Sequence, residues 1–319
     1  MKIFFKNLFN EIMSVSIPLY KILIPFVFII KFLEIVGFVD LVTKGFQPLM
    51  ATIGLPSELG IIWVTAIVVN IYAALILFVS IVPLMDVTTS QITILTVAML
   101  LCHNLAIESA ISKSAGVSFL FTIFYRLFAA FFACFFLNLI YSNFNFLNNP
   151  FVMSFTIEPQ EAGLIPWLRG QIFNLLYIFF IFTIIVTILE ILKAIGIENI
   201  LKKILVPPLR FFGINESATK IIIVGMTLGL QFGGGILIKE VNSGKIDKQS
   251  IFLSILMINL VHAIIEDSLL MLAVGGHYSG VIIARILFGL FFSILVLNIY
   301  KKYHLFFEKH IFSKKLRLL

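Results

Sequence analysis

The decapeptide Asn259-Leu260-Val261-His262-Ala263-Ile264-Ile265-Glu266-Asp267-Ser268 sets one histidine and two carboxylates inside a long apolar run. Charge in hydrocarbon costs about 3 kcal/mol or more per group, so such residues persist where they have a partner or a task. A twin stands in the first half of the chain, Leu101-Cys102-His103-Asn104-Leu105-Ala106-Ile107-Glu108-Ser109. Laid over one another without gaps, the two pair His103 with His262, Glu108 with Asp267 and Ser109 with Ser268, at an offset of 262 − 103 = 159.

The same offset carries outward. It pairs Gly37 with Gly196, Pro48 with Pro207, Gly54 with Gly213, Gly116 with Gly275, Arg126 with Arg285 and Tyr141 with Tyr300. Apolar matches between membrane helices follow from composition alone, whereas His, Arg, Gly and Pro are rare and positionally constrained there. The chain therefore reads as two copies of one unit.

Composition fixes the solvent. Of 319 residues, 61% are hydrophobic and only 12% charged, and the mean hydropathy is +1.11. A soluble domain does not carry so little charge, which makes the expected class an all-α integral membrane protein. The net charge of +7 is no nucleic-acid signal, because much of it lies in Lys301, Lys302, Lys309, Lys314, Lys315 and Arg317, a cluster suited to holding that end in the cytoplasm. Two cysteines, Cys102 and Cys134, both fall within expected spans and suggest no disulfide framework. The basic start, Met1-Lys2-Ile3-Phe4-Phe5-Lys6, lacks a cleavage site after a short apolar core and reads as an uncleaved first segment.

With about 20 apolar residues per crossing, spans are expected at 17–37, 91–111, 116–141, 170–195, 250–272 and 280–300. Two further apolar stretches, 59–85 and 218–238, are interrupted by Asn70 and by Gly225, Gly229 and Gly233-Gly234-Gly235. If both dip in and return, the glycine run supplies the turn. Lys113, Lys193, Lys202, Lys203, Arg210, Lys239, Lys245 and Lys248 then share the side of the C-terminal cluster, while Asp86, Glu158 and Glu161 lie opposite. Three crossings per copy is odd, so the copies are expected to be inverted. Each has about three transmembrane helices, a re-entrant helical hairpin and an amphipathic segment. The expected division is a first repeat at 1–145, an extracytoplasmic connection at 146–168, a second repeat at 169–303 and a basic cytoplasmic tail at 304–319. A bacterial inner membrane with both termini cytoplasmic is the matching location.

Several constellations carry chemistry. His262 and Glu266 are four apart, hence on one face of a regular helix, as are Asn104 and Glu108. Two imidazoles with several carboxylates suit a divalent transition metal, with His103, Glu108, His262 and Glu266 as ligands, and suit a proton relay equally. No motif demands a cofactor, and a divalent metal ion is the one the residues accommodate. Against the metal, His103 and Glu108 are five apart and diverge on a regular helix. The bland alternative is a polar network tying helices together, with Arg126 and Arg285 as counter-ions, and that structural role is the leading reading of the two arginines. Asn104, Ser109, Ser268 and the interruption Gln231, Gly233 and Gly234 complete the set expected to meet a solute or ion, although small residues in membrane helices usually serve packing. Glu34 and Glu190, each in Leu-Glu-Ile near a span end, read as interfacial carboxylates, and Trp63, Trp167, Tyr300 and Tyr303 as interface anchors. No nucleotide-binding loop, His-Glu-x-x-His or Gly-x-Ser-x-Gly occurs, so no enzyme activity is expected.

The order of span, Pro-containing amphipathic segment, short acidic entry (Gly54-Leu55-Pro56-Ser57-Glu58; Gly213-Ile214-Asn215-Glu216), broken apolar stretch and His/acid helix resembles the gate-domain, or nucleoside recognition domain, proteins. That group takes in the spore maturation proteins A and B, the membrane gates of the bacterial ferrous-iron transporter and, more distantly, the concentrative nucleoside transporters. His262-Ala263-Ile264-Ile265-Glu266-Asp267 looks most like it. The resemblance implies an inverted-repeat transport fold with re-entrant hairpins and supplies no substrate. The expected function is a transporter with a His/carboxylate site for a cation, either a divalent metal or protons coupled to a small solute. Its alternatives are a transporter of nucleosides or other small polar solutes, and a non-transporting membrane assembly or export partner. The expected surroundings are lipid and a small solute or cation, with a homo-oligomer left open and no nucleic acid.

Overall fold

A computed structural model describes residues 2–153, 163–197, 199–200, 203, 206–207, 209, 216–244 and 246–317. The first half contains α1 (Lys2–Ile35), α2 (Phe38–Thr52), α3 (Gly60–Val68), α4 (Ile71–Ile81), α5 (Thr89–Leu101), α6 (Leu105–Ser114) and α7 (Phe119–Asn143). The second half contains α8 (Leu164–Ala194), α9 (Glu216–Ser243), α10 (Lys248–Leu260), α11 (Glu266–Ala273), a π-helical turn (Ser279–Ala284) and α12 (Arg285–Lys302). Two short helices follow, α13 (His304–His310) and α14 (Lys314–Arg317). No β-strand occurs among the described residues. Among the described residues, five helices are long and apolar enough to cross a membrane, or six if the bent pair of α2 with the segment Ser57–Val68 (bent by 111°) is one span. The molecule is an all-α integral membrane protein.

The backbone repeats where the sequence does. α5 and α10 begin and end at residues 159 apart (89 and 248, 101 and 260), and each starts on a side-chain cap. Thr88 accepts from the Gln91 amide at 3.3 Å, and Asp247, 159 residues on, accepts from the Ser250 amide at 2.9 Å. Both helices then stop abruptly, at paired residues in the left-handed region, Asn104 (φ 46°) and Ala263 (φ 43°). Neither position is glycine. The strain an alanine bears there is held in place by the packing around it.

The interrupted stretches also correspond. Asn70, extended at φ −172°, separates α3 from α4 and caps α4 by accepting from the Ala73 amide at 2.8 Å. α3 and α4 pack back on each other, as the hairpin reading expects. The equivalent position, 70 + 159 = 229, is Gly229, whose φ of 76° and ψ of 171° make the non-helical point inside α9. The turn expected at Gly233-Gly234-Gly235 is therefore placed elsewhere: those three residues are helical, and the backbone breaks four residues earlier. Gly234 serves packing, since a Cβ there would lie 2.5 Å from Ile111 Cγ2 on α6.

The apolar 18-residue stretch within Thr89–Ser114 is 78% buried in the protein, against 28% for that within Leu164–Leu192 and 35% for that within Leu8–Ile35. The two broken His/acid segments thus form the centre, and α1 and α8 form a face toward lipid, with Phe28, Phe32, Ile172, Phe173 and Phe180 exposed. The expected basic tail is a folded element. Phe307, Phe312 and Leu316 are buried, Ser118 donates its amide to Ile311 at 2.7 Å and Ser313 to Gly116 at 2.8 Å. A Cβ on Gly116 (φ 106°) would lie 2.9 Å from Leu316 Cβ, so the α6–α7 turn and α14 meet only because that residue is glycine. Glu158 and Glu161 and, in the basic segment, Lys202 and Arg210 lie outside the described residues, as does the Gly213-Ile214-Asn215 entry.

Candidate functional site

The site begins with the two helix breaks. Because α5 ends at Leu101 and α6 starts at Leu105, His103 and Glu108 are not on one regular helix, and the divergence expected from their five-residue spacing does not arise. The break brings Glu108 Oε1 to 3.5 Å from His103 Nε2. The break in the second copy has the opposite effect on its expected pair. His262 and Glu266 lose their shared face, and the next carboxylate, Asp267, turns inward instead, with Oδ2 3.8 Å from His103 Nε2. Glu266 turns to α4, where Tyr72 donates to its Oε1 at 2.7 Å. Of the expected metal ligands, His103, Glu108 and His262 come together, and Asp267 stands where Glu266 was expected.

The two imidazoles meet across the seam between the copies, Nε2 to Nε2 at 3.2 Å, and Glu108 Oε1 is 3.2 Å from His262 Nε2. Each ring is fixed by its other nitrogen. Nδ1 of His103 donates to the Met99 carbonyl at 2.8 Å, and Nδ1 of His262 to the Ile258 carbonyl at 2.9 Å, again 159 residues apart. A carbonyl only accepts, so Nδ1 carries the hydrogen and, in a neutral ring, Nε2 presents a bare lone pair. Four acceptor atoms (two Nε2, Glu108 Oε1 and Asp267 Oδ2) thus face one another with no hydrogen between them. His103, His262, Glu108 and Asp267 are all buried.

The arginines sit behind the carboxylates. Arg126, fully buried, pairs through Nη1 with Glu108 Oε2 and donates Nε to the Leu101 carbonyl at 3.2 Å. Arg285, also fully buried, donates Nε to the Leu260 carbonyl at 3.4 Å, Nη2 to the His262 carbonyl at 2.6 Å and Nη1 to Ser268 at 3.5 Å. Its Nη2 lies 3.7 Å from Asp267 Oδ2. Each guanidinium therefore also occupies the carbonyl end that its broken helix leaves open, where positive charge is favoured. The second carboxylate is held more loosely than the first: Asp267 Oδ2 has no hydrogen-bond partner among the described residues.

Asn104 is buried and supplies the left-handed turn, its amide donating to Ala66 on α3 at 2.8 Å. Ser109 is buried with no partner for its hydroxyl among the described residues. Gln231 and Gly233 are helical, their surroundings lying outside what is described, and Gly234 packs on α6 as given above. Two contributors were not expected from the sequence. Tyr72 carried only its place two residues after Asn70, and Asn259, which donates to Ser112 at 2.9 Å, lay unremarked in the decapeptide itself.

One curated protein is similar over most of the chain, an uncharacterized membrane protein YvoD of Bacillus subtilis (strain 168), 23% identical over 286 residues that cover 89% of this chain and 90% of that one. No family model matches the sequence, and no solved structure matches it. The comparisons and the helices together place the chain among multi-pass membrane proteins.

Proposed function

We propose that this protein is a membrane transporter whose His103–His262–Glu108–Asp267 cluster binds a cation during its cycle. One observation carries the reading: ligand atoms of His103, His262 and Asp267 all lie within 4.8 Å of one another, Glu108 Oε1 is 3.5 and 3.2 Å from the two Nε2 atoms, and in neutral rings both Nε2 lone pairs face this centre. A cation is what such a set lacks. Ligand nitrogens about 2.0 Å from a tetrahedral zinc-like ion are about 3.3 Å apart, close to the 3.2 Å between the imidazoles. The donor set of two imidazoles and two carboxylates is that of a divalent transition metal.

A second reading rests on charge. Glu108, Asp267 and Glu266 oppose Arg126 and Arg285, so with neutral imidazoles the local sum is −3 + 2 = −1. One proton taken up by the cluster balances it, which favours proton-coupled movement of a small solute. Both readings use the same atoms. The hairpin α3–α4, the broken helix α9 and the sequence repeat support the inverted, gate-like arrangement that the resemblance implies, with the cluster where the copies meet.

Elemental analysis of purified protein separates the two. Wild type loaded with zinc, iron or manganese is compared with a His103→Ala/His262→Ala variant of matched folding. A stoichiometric metal lost in the variant supports metal transport. Absence of metal from the loaded wild type, with proton-dependent uptake lost in the variant, supports coupling. If uptake by reconstituted variant and wild type is the same, the cluster has no transport role.

A further inference from the structure

A second polar feature lies apart from the cluster. A cavity of about 480 Å³ opens between α1, α4 and α8, with Phe26, Ile30, Ile76 and Leu77 among its apolar walls. Its inner end is polar. Asn174 is fully buried and donates Nδ2 to Ser80 Oγ at 2.9 Å. Ser80 gives its only hydrogen to the Ile76 carbonyl at 2.8 Å, so its oxygen must accept, and this fixes which way the Asn174 amide points. Asn174 Oδ1 is then left with no partner among the described residues. A buried acceptor held in that orientation calls for a donor.

The outer end has a different character. Lys31 and Glu34 pair at 3.0 Å, and Lys31 lies 5.8 Å from the Trp167 ring centroid. Gln171, one turn along α8 between Trp167 and Asn174, continues the polar line inward. The cavity is thus apolar along its length, with an acceptor at the bottom and a charged, aromatic rim. α4 joins it to the cluster: Ser80 is eight residues from Tyr72, about 12 Å along a helix, and Tyr72 holds Glu266.

We propose that this cavity binds a small amphiphile with an apolar body and an N–H or O–H head donating to Asn174 Oδ1. The inference deepens the transport reading by naming a solute class, and its test does not involve the cation cluster, so the two fail separately. The head could belong to a free primary amine or alcohol or to an ethanolamine phospholipid, which share the donor.

The test is native mass spectrometry of the full chain released from detergent, titrated with matched probes. Phenethylamine is compared with its N,N,N-trimethyl derivative, and phosphatidylethanolamine with phosphatidylcholine; in each pair only the first has N–H donors. One donor-bearing molecule is expected per protein, bound at least about tenfold tighter than its methylated twin. Asn174→Leu, which removes the acceptor and keeps the volume, is expected to abolish that preference. Preference confined to the amine identifies a solute site, and preference confined to the phospholipid a lipid site. Equal binding of donor and methylated probes by wild type overturns the proposal, as does a preference that survives in folded Asn174→Leu. The wild-type comparison decides the matter even if the variant does not fold.

Discussion

Glu108 and Asp267 occupy equivalent places, yet they are held differently, and their substitutions should part accordingly. Glu108 is tied to Arg126, so Glu108→Gln strands a fully buried guanidinium. Breaking such a pair costs about 3–5 kcal/mol, and the expected result is a large fall in the thermal midpoint and in recovered folded protein. Asp267 stands 3.7 Å from Arg285, whose other bonds go to backbone carbonyls and Ser268. Asp267→Asn should therefore fold nearly as well as wild type and lose cation binding. Equal melting of the two variants in detergent would show that the arginines are not held as described. Tyr72→Phe removes the bond to Glu266, a loss of about 1.5–3 kcal/mol for a hydrogen bond to a charged group. Its expected signature is a modest drop in the melting midpoint.

At the scale of elements, the two helix breaks are the feature the sequence concealed. The repeat offset and the interruption at Asn70 are marked by residue types that are rare or act locally in membrane helices, and they could be read. The breaks at 102–104 and 261–265 contain neither Gly nor Pro, and Ala263 in particular is a good helix former. Tertiary demands hold it at φ 43°, and only those demands reveal that Asp267 faces inward and Glu266 outward. The glycine run misled for the complementary reason: glycines at a close contact with α6 resemble glycines at a turn. The strain at Ala263 is testable. Ala263→Gly should relieve about 1–2 kcal/mol of left-handed backbone cost, less about 1 kcal/mol for the greater freedom of glycine in the unfolded chain. The net expectation is a midpoint unchanged or slightly raised, whereas Ala263→Val should lower it clearly. Gly289 on α12 faces the same break, and its built Cβ would collide with the Val261 side chain. Gly289→Leu should accordingly disrupt the second copy, as read by loss of a monodisperse peak in size-exclusion chromatography.

For the whole molecule, composition gave the solvent and the long apolar stretches gave the helices, but the sequence did not show how the ends are tied. The C-terminal segment folds onto the α6–α7 turn through Phe307, Phe312 and Leu316. Deleting residues 304–319 exposes the buried edge at Gly116 and Val117 and removes the bond from Lys248 to Glu308 at 2.9 Å. Burial of three such side chains corresponds to about 1.5–3 kcal/mol each, so the truncated chain should melt well below the full one. An unchanged melt would mean that the segment adds nothing to the core.

The meeting of the two Nε2 atoms across the seam has a consequence for the duplication itself. Each copy brings one imidazole and one carboxylate, so neither half holds a complete set and neither can serve as a spare for the other. A substitution at the centre in one half therefore disables the set that the other half shares.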